Sequence, residues 1–438
     1  MTERLAITPI APFKAALTPP GSKSLTNRAM LLAALADGES TLHRPLWADD
    51  TLHLLHALGT LGFHIVGTQG DSTLRITGRG GQIPVPGGTA RVHIGNAGTA
   101  CRFLTAALAL ADGTCEVDGV PRMRERPIGA LVEPLRRLGA EIVELGETGF
   151  PPLRITGRKL TGGQLELGPT LSSQYISALL QIGPMLESGL ELRFTAPIIS
   201  RPYVEMTLAT MKRFGIEAAT DTDLTRIAIP PGRYRATTLT IEPDASNASY
   251  FLAAAAILSG SRCTIEGLGR DSIQGDVGFA EVLGQMGAAV ETGPDTITIT
   301  GPPRLQGVDV DLNAMPDMAQ TLAVVALFAD GPTVIRGIGN LRVKETDRLK
   351  ALRCELEKLG AQVRIDGPTL HITPPADPRL QPATIATYDD HRMAMSFAIA
   401  GLRSEGVTIA DPGCVAKTFP EYFKYLARLG DCAVGPRP

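Results

Sequence analysis

The sequence has few of the features that mark disulfide-rich or metal-binding proteins. Its six cysteines, at positions 101, 115, 263, 354, 414 and 432, are widely spread and include no CxxC pair. Such spacing argues against a disulfide framework or a cysteine-based metal site. Reduced thiols in the cytoplasm fit this usage best, so we expect a cytoplasmic protein.

Long apolar segments and an excess of one charge sign are also missing. The longest apolar stretches, 250–258 and 322–329, are far shorter than the roughly 20 residues that cross a bilayer. Residues 1–13 include Glu3 and no continuous apolar core, which is a poor signal peptide. The net charge of −3 provides no global basic field, so we expect neither nucleic acid nor a membrane as partner.

What the chain has is apolar residues and an internal repeat. Hydrophobic residues make up 44% of the 438 positions, enough to fill two large domains. A helix that ends in a large apolar residue and Gly, followed by a strand-like run, recurs in six copies of about 73 residues. Its glycines stand at positions 62, 139, 215, 287, 360 and 430. A second unit, an Ala/Leu-rich helix, Gly and strand, has its glycines at 38, 113, 189, 260, 331 and 406.

The two kinds of helix predict a particular packing. The first kind is amphipathic, whereas the second is apolar on nearly all sides, as in 251–258, and must be buried on all sides. We therefore predict an α/β fold of two similar lobes, each with three repeated units around buried Ala-rich helices. The Pro- and Gly-containing segments 18–21 and 241–244 are candidate crossing points. The predicted first lobe is 21–241, and the second is 1–20 with 242–438.

Charged and small residues gather in short strings near the N-terminus. Lys23 offers a point charge, Ser24 a hydroxyl donor, and Arg28 lies four residues further along the predicted helix. The spacing of these residues does not fit a nucleotide-binding P-loop. The string 95–100 precedes a helix, where bare backbone N–H groups can meet an anion, although an ordinary capped turn explains it equally well.

Further strings follow along the chain. Arginines 122, 124 and 126 precede a proline, which favours a loop of guanidinium groups suited to carboxylates and phosphates. Ser172 and Ser173 stand where helix caps are expected. Asp317 heads an apolar helix, which leaves two interpretations: it caps that helix, or it acts as a base beside a substrate hydroxyl.

Together these strings resemble the signatures of the EPSP synthase (3-phosphoshikimate 1-carboxyvinyltransferase) family. The resemblance covers residues 17–423 and rests on strings in the family's order, namely PGSKSLTNR, GNAGTACR, RMRERPI, SSQY, SRPY, PDMA, NLRVKETDRL, DDHRMAMS and AKTFPEYF. It implies the inside-out barrel of enolpyruvyl transferases, two lobes of three units around buried helices. It also implies transfer of an enolpyruvyl group from phosphoenolpyruvate to the 5-hydroxyl of shikimate 3-phosphate, with no metal or organic cofactor.

The resemblance assigns ligands to both substrates. For shikimate 3-phosphate it implies Lys23, Ser24, Arg28, Ser172, Ser173, Gln174, Ser200, Tyr203, Asp317, Asn340 and Lys344. For phosphoenolpyruvate it implies Lys23, Asn96, Gly98, Arg126, Arg348, Arg392 and Lys417. Asp317 matches the family's proton acceptor and Glu345 its proton donor, while Lys23 steadies the departing phosphate. A carboxylic acid that is useful near neutral pH needs a raised pKa, which crowded anionic substrates would supply.

Two alternatives and one departure remain. A related enzyme transfers enolpyruvate to UDP-N-acetylglucosamine, but it carries a Cys in the loop where this chain has 122–126. A ring-shaped clamp on nucleic acid would need basic residues in every repeat, and here the charged strings are not repeated. Phe103 stands where close relatives often carry Pro, so we expect it to bear on sensitivity to glyphosate, an inhibitor of this family, more than on activity. We expect a monomer.

Overall fold

A computed structural model describes residues 3–169, 172–377 and 379–431 of the chain. These residues form twelve α-helices. The helices are α1 Lys23–Leu35, α2 Asp49–Thr60, α3 Gly98–Leu108, α4 Gly129–Arg137, α5 Ser173–Ile182, α6 Arg201–Arg213, α7 Ala245–Ile257, α8 Phe279–Gln285, α9 Ala319–Val325, α10 Arg348–Lys358, α11 His391–Gly401 and α12 Tyr422–Asp431.

The same residues form 25 strands. The first fourteen are β1 Arg4–Ala6, β2 Lys14–Leu17, β3 Asp37–His43, β4 His64–Val66, β5 Thr73–Arg79, β6 Thr89–His93, β7 Thr114–Asp118, β8 Glu141–Glu144, β9 Leu153–Thr156, β10 Gly163–Leu167, β11 Leu190–Phe194, β12 Ala219–Thr220, β13 Arg226–Ile229 and β14 Thr238–Thr240. The others are β15 Arg262–Glu266, β16 Ala289–Thr292, β17 Thr296–Thr300, β18 Leu305–Gln306, β19 Asp309–Asp311, β20 Ala329–Asp330, β21 Thr333–Arg336, β22 Gln362–Asp366, β23 Thr369–Thr373, β24 Ala383–Ile385 and β25 Val407–Ala410.

The chain divides into two compact units, Gly21–Glu242 and Met1–Pro20 with Pro243–Pro438. Each unit has its own hydrophobic core. Odd-numbered helices are the Ala-rich ones: every residue of α3, α7, α9 and α11 is buried. Even-numbered helices bury one face only, as in α4 and α12. A helix without a polar face is stable only inside a core, so the predicted burial of the Ala-rich helices is confirmed.

The unit Gly21–Glu242 repeats one sheet pattern three times. Its four-stranded sheets have the orders β14-β3-β5-β4, β6-β7-β9-β8 and β10-β11-β13-β12. In each sheet the first two strands are parallel and the remaining pairs are antiparallel. The Ala-rich helices α3 and α5 each join the first two strands of their sheet, whereas α1 follows β2 along the chain and leads into β3.

The unit Met1–Pro20 with Pro243–Pro438 follows the same plan. Two four-stranded sheets, β16-β17-β15-β2 and β19-β21-β23-β22, have the pairing pattern described above. The third sheet has three described strands, β1-β25-β24, and β18 pairs with β20 separately. The last strand of the sixth repeat was expected after Gly430, and residues 432–438 lie outside the described residues.

Most of the repeat glycines have the left-handed backbone conformation expected just after a helix. Ten of the twelve have a positive φ, which favours glycine; Gly113 and Gly430 do not, and Gly430 lies inside α12. No helix in the described part of the chain is long and apolar enough to cross a membrane. The cysteines at 101, 115, 263, 354 and 414 are free thiols.

Candidate active site

In the unit Gly21–Glu242, the predicted site residues begin at the N-terminal end of α1. A Cβ on Gly21 would lie 2.2 Å from the carbonyl oxygen of Arg44, so a larger residue would force the two backbone segments apart. The Ser22 hydroxyl caps the helix by accepting a hydrogen bond from a first-turn backbone N–H. This entry places Lys23 and Ser24 in the first turn, where both are partly exposed.

Lys23 has a carboxylate beside it that the sequence analysis did not predict. The Lys23 Nζ lies 3.1 Å from Oδ2 of Asp50, the second residue of α2, which is only 2% exposed. The pairing fixes the position of a long, flexible side chain. The sequence does show the acidic pair Asp49–Asp50 at the start of α2. Carboxylates at a helix N-terminus stabilise the helix through its dipole, so their position alone does not indicate an ion pair with Lys23.

Arg28, one turn further along α1, is buried and draws three helices together. Its Nε donates to Thr207 Oγ1 at 2.8 Å, and its Nη2 donates to Ser177 Oγ at 3.2 Å and the Tyr203 carbonyl at 3.0 Å. Its Nη1 donates to the Ser24 carbonyl at 3.0 Å. Three of the predicted site residues, Ser24, Arg28 and Tyr203, are therefore in direct contact.

Asn96, Gly98 and Arg126 form a second contact group in this unit. The Arg126 Nη1 donates to the carbonyl of Asn96 at 2.9 Å and to its Oδ1 at 3.0 Å. Gly98 begins α3, and a Cβ on it would lie 2.4 Å from the Arg126 Nη2. The guanidinium therefore packs against bare backbone at the helix N-terminus, where an anion is also favoured.

The arginine loop separates into a buried arginine, Arg126, a half-buried one, Arg122, and an exposed one, Arg124. Arg124 forms a two-bond ion pair with Asp118, and Arg122 pairs with Glu125 at 2.8 Å. Only Arg126 is buried against the start of α3.

The loop after Arg126 is held by two side chains. Arg102 Nη2 and the Tyr175 hydroxyl each donate to the Pro127 carbonyl at 2.7 Å. Arg102, on α3, is a further residue that the sequence analysis missed.

The remaining ligands predicted in this unit stand at the starts of α5 and α6. Ser172 caps α5, as expected, with its hydroxyl accepting from the Gln174 backbone at 3.2 Å. Ser173 is buried behind it. The Gln174 Nε2 donates to Thr99 Oγ1 at 3.2 Å, which connects the starts of α5 and α3. Ser200 begins α6 in a left-handed conformation with φ of 56°.

In the unit Met1–Pro20 with Pro243–Pro438, Asp317 is the central carboxylate. It lies in the 3₁₀ turn Pro316–Met318 just before α9, which has no side-chain cap. Its Oδ1 is 3.2 Å from Arg348 Nη1, and its Oδ2 is 2.9 Å from Arg392 Nη2. The interpretation of Asp317 as a helix cap is therefore wrong, because its carboxylate pairs with two arginines instead.

Arg348 joins Asp317 and the neighbouring charged side chains into one cluster. It is 1% exposed and contacts three carboxylates: Asp317, Glu345 through Nη2 at 2.8 Å, and Asp390 through Nε at 2.7 Å and Nη2 at 3.2 Å. Burial alone would lower the pKa of Arg348, but the Asp390, Glu345 and Asp317 carboxylates raise it above its ordinary value. The guanidinium is thus permanently charged and held in one place.

Asp390 is the third residue of importance that the sequence analysis did not assign, after Asp50 and Arg102. It is fully buried, forms the two-bond pair with Arg348, and caps α11 by accepting from the Arg392 backbone at 2.9 Å. Arg392 also lies 3.4 Å from the Tyr250 hydroxyl. The N-cap position of Asp390 was readable from the sequence, whereas its pairing with a residue 42 positions away was not.

Three further predicted ligands lie around this cluster. Asn340 is in the 3₁₀ turn Gly339–Val343, and its buried Oδ1 has no hydrogen-bond partner among the described residues. Lys344 follows this turn, and Lys417 ends the 3₁₀ turn Pro412–Lys417. Burial raises the pKa of Asp389, against the opposing effect of the Lys417 ammonium nearby.

A buried carboxyl group, Asp276, lies beside the cluster. The Ser246 hydroxyl donates a hydrogen bond to it. Burial first, and the negative charge of Asp317 second, raise the pKa of Asp276 to about 6. Among the described residues, no group of three His, Cys, Asp or Glu side chains is arranged to hold a metal ion.

Comparison with known proteins decides the family. The sequence profile of EPSP synthase (3-phosphoshikimate 1-carboxyvinyltransferase) matches residues 7–426. The chain belongs to the EPSP synthase family. A 3-phosphoshikimate 1-carboxyvinyltransferase from Shewanella sp. (strain W3-18-1) is 46% identical over 429 residues, covering 98% of this chain and 99% of the relative. One from Salmonella paratyphi B is 46% identical over 434 residues, with the same coverage.

Solved structures agree with this membership. An EPSP synthase from Acinetobacter baumannii superposes with a TM-score of 0.81 at 29% identity, covering 99% of both chains. The enolpyruvyl transferase NikO from Streptomyces tendae shares the fold, with a TM-score of 0.75 at 19% identity and 98% coverage of both chains. The predicted EPSP synthase family and the predicted fold class are both confirmed.

Proposed function

We propose that the chain transfers the enolpyruvyl group of phosphoenolpyruvate to the 5-hydroxyl of shikimate 3-phosphate. The products are 5-enolpyruvylshikimate 3-phosphate and phosphate, a step of chorismate and aromatic amino acid biosynthesis. The observation that carries the proposal is the cluster of Asp317, Glu345, Arg348 and Arg392 in a chain of this family. The reaction needs a proton acceptor, a proton donor and fixed cations, and these side chains supply all three.

We propose that phosphoenolpyruvate is bound mainly by guanidinium and ammonium groups. A phosphate carries roughly −1.5 to −2 near neutral pH, and the carboxylate adds one more charge. The buried Arg126, held against Asn96, supports this role, as do the fixed guanidinium groups of Arg348 and Arg392. The proposed ligands are Lys23, Asn96, Gly98, Arg126, Arg348, Arg392 and Lys417.

Shikimate 3-phosphate offers a phosphate, a carboxylate and hydroxyl groups, and the proposed ligands match this mixture. Serine hydroxyls at helix starts suit phosphate oxygens. The unpartnered Oδ1 of Asn340 suits a substrate hydroxyl, because a buried acceptor without a donor costs stability until a ligand fills it. The proposed ligands are Lys23, Ser24, Arg28, Ser172, Ser173, Gln174, Ser200, Tyr203, Asp317, Asn340 and Lys344.

The proposed chemistry is addition followed by elimination. Asp317 takes the proton of the 5-hydroxyl while the hydroxyl oxygen bonds to C2 of phosphoenolpyruvate. Glu345 gives a proton to C3. The C–O bond from C2 to the phosphate then breaks, the proton held by Asp317 leaves with the phosphate, C3 returns a proton to Glu345, and the double bond forms again. Lys23, held by Asp50, steadies the charge of the departing phosphate.

Arg348 gives the two carboxylates a means of changing roles when substrate binds. In the described structure, Arg348 is ion-paired with both Asp317 and Glu345. The carboxylate of phosphoenolpyruvate would compete with both for the guanidinium. Asp317 would then be available to accept the substrate proton, and Glu345 to give one. Asp390 keeps its two bonds to Arg348 throughout and prevents the side chain from following the substrate.

We also propose that 21–241, and 1–20 with 242–438, act as the two lobes of a monomeric cytoplasmic enzyme. The division of the chain into Gly21–Glu242 and the remainder supports these limits.

A phosphate-release assay tests the function. We expect inorganic phosphate from phosphoenolpyruvate only when shikimate 3-phosphate is present, and none with UDP-N-acetylglucosamine. Arg126→Ala should raise the KM for phosphoenolpyruvate strongly. Arg124→Ala is the matched control, because this exposed arginine pairs with Asp118 alone among the described residues and its loss should leave KM unchanged. Release of phosphate without shikimate 3-phosphate, or only with the UDP-sugar, would contradict the proposal.

A further inference from the structure

Arg28 is a buried cation without an acidic partner among the described residues. Its four hydrogen bonds go to two hydroxyl groups, Thr207 and Ser177, and to two carbonyl groups, Ser24 and Tyr203. All four acceptors are neutral. One of the two hydrogens on Nη1 has no acceptor among the described residues, because only the Ser24 carbonyl contacts that atom.

This arrangement is costly unless something else favours the charge. Burying an ion without an opposite charge loses hydration energy that neutral acceptors return only in part. Burial lowers the pKa of Arg28 to about 10, so the side chain still carries its charge near neutral pH. The face of an aromatic ring is one of the few groups that attract a cation without neutralising it.

Phe103 supplies that ring. It lies on α3, is fully buried, and its ring centre is 5.3 Å from the Arg28 Cζ, within the range of a cation–π interaction. Lys23 shows the contrast, since its ammonium is paired with the carboxylate of Asp50 at 3.1 Å. A substrate anion at Lys23 competes with an internal anion, whereas at Arg28 it meets a cation that is held but not paired.

We propose that Phe103 is a positioning residue: its ring holds the Arg28 guanidinium in place, still unpaired, for an anionic oxygen of the acceptor substrate. The inference rests on the proposed function, in which Arg28 binds shikimate 3-phosphate. The ring does not touch the substrate. It fixes the guanidinium plane from one side, while Thr207 and Ser177 fix its edge.

The test reduces the negative charge on the face of the ring with little change in the ring's size. Phenylalanine at 103 is replaced by mono-, di- and trifluorophenylalanine through stop-codon suppression, and shikimate 3-phosphate alone is titrated calorimetrically. We expect stepwise weaker binding, reaching about tenfold for the trifluoro ring, while the KM for phosphoenolpyruvate and the melting temperature stay near their original values. Phe103→Leu should weaken binding by at least as much.

Two results would overturn the inference. If the original chain binds and converts shikimate 3-phosphate but the affinity is the same across the fluorinated series, Phe103 is only a packing residue. The same holds if Phe103→Leu weakens binding equally in an Arg28→Ala background, since the effect would then not pass through Arg28. If the original chain binds no shikimate 3-phosphate, the proposed function fails and takes this inference with it.

Discussion

A single methyl group at Gly98 should disable Arg126 without disturbing the fold. The Cβ of an alanine there would lie 2.4 Å from the Arg126 Nη2, 2.8 Å from its Cζ and 3.0 Å from its Nη1. Ordinary contacts between carbon and nitrogen are about 3.5 Å or longer, so the guanidinium must move by about 1 Å. It is the end of a flexible side chain, and the backbone need not follow.

That movement breaks the contacts that hold Arg126. Its Nη1 bonds to Asn96 at 2.9 and 3.0 Å, and an added 1 Å exceeds the limit of a hydrogen bond. A guanidinium that has lost this position also loses a charge-assisted hydrogen bond to phosphoenolpyruvate; that loss costs about 1.5–3 kcal/mol and raises the KM for phosphoenolpyruvate about 10- to 150-fold. The affinity for shikimate 3-phosphate and the melting temperature should change little. Steady-state kinetics with each substrate varied in turn measures the split.

The control is Gly59→Ala, because a Cβ at that position in α2 meets no atom within 4 Å. Alanine in a helix is favoured over glycine, so this variant should keep both KM values and gain slight stability. A double variant adds a sharper test: Gly98→Ala should have little further effect in an Arg126→Ala background. An unchanged KM for phosphoenolpyruvate in Gly98→Ala, or full additivity with Arg126→Ala, would refute the steric reasoning.

Three other predictions concern the carboxyl groups around Arg348 and the turn at Gly98. Asp317→Asn and Glu345→Gln should bind both substrates yet turn over about 10² times more slowly or worse, as single-turnover kinetics would show; near-normal turnover would remove the assigned role. The pKa of Asp276 is raised to about 6, so its contribution to stability is full below the ordinary pKa of aspartate and is lost as pH rises through about 6. Relative to Asp276→Asn, the free energy of unfolding should therefore fall by about 2 kcal/mol between pH 4 and 8 in urea titrations, and a constant difference would contradict the shift. Glyphosate should inhibit the original chain in competition with phosphoenolpyruvate and Gly98→Ala much less, and an insensitive original chain would refute this.

The fold was predictable because its signals are local and repeated. Marker glycines and Ala-rich helices recur six times, and a helix apolar on all sides has no alternative to burial. The two marker glycines that departed from expectation show the limit of a single position. Gly430 continues inside α12, although the same pattern ends helices in other repeats.

The sequence predicted which residues belong to the candidate site, but not which of them are buried or which partners they contact. Three arginines in one loop looked equivalent in the sequence, and only the placement of Asp118 and Glu125 separates Arg122 and Arg124 from Arg126. Partners such as Asp50 for Lys23 and Asp390 for Arg348 depend on tertiary contacts. No spacing rule along the chain reports them.

Solvent deuterium in the product tests enolpyruvyl transfer by addition and elimination with Glu345 as the proton donor. In D2O, a deuteron given to C3 makes a methyl group, and loss of one hydrogen leaves deuterium in the vinyl group. Mass spectrometry of the 5-enolpyruvylshikimate 3-phosphate should find this deuterium, and Glu345→Gln should form product far more slowly. Rapid turnover to a product whose vinyl group contains no deuterium would rule out addition followed by elimination.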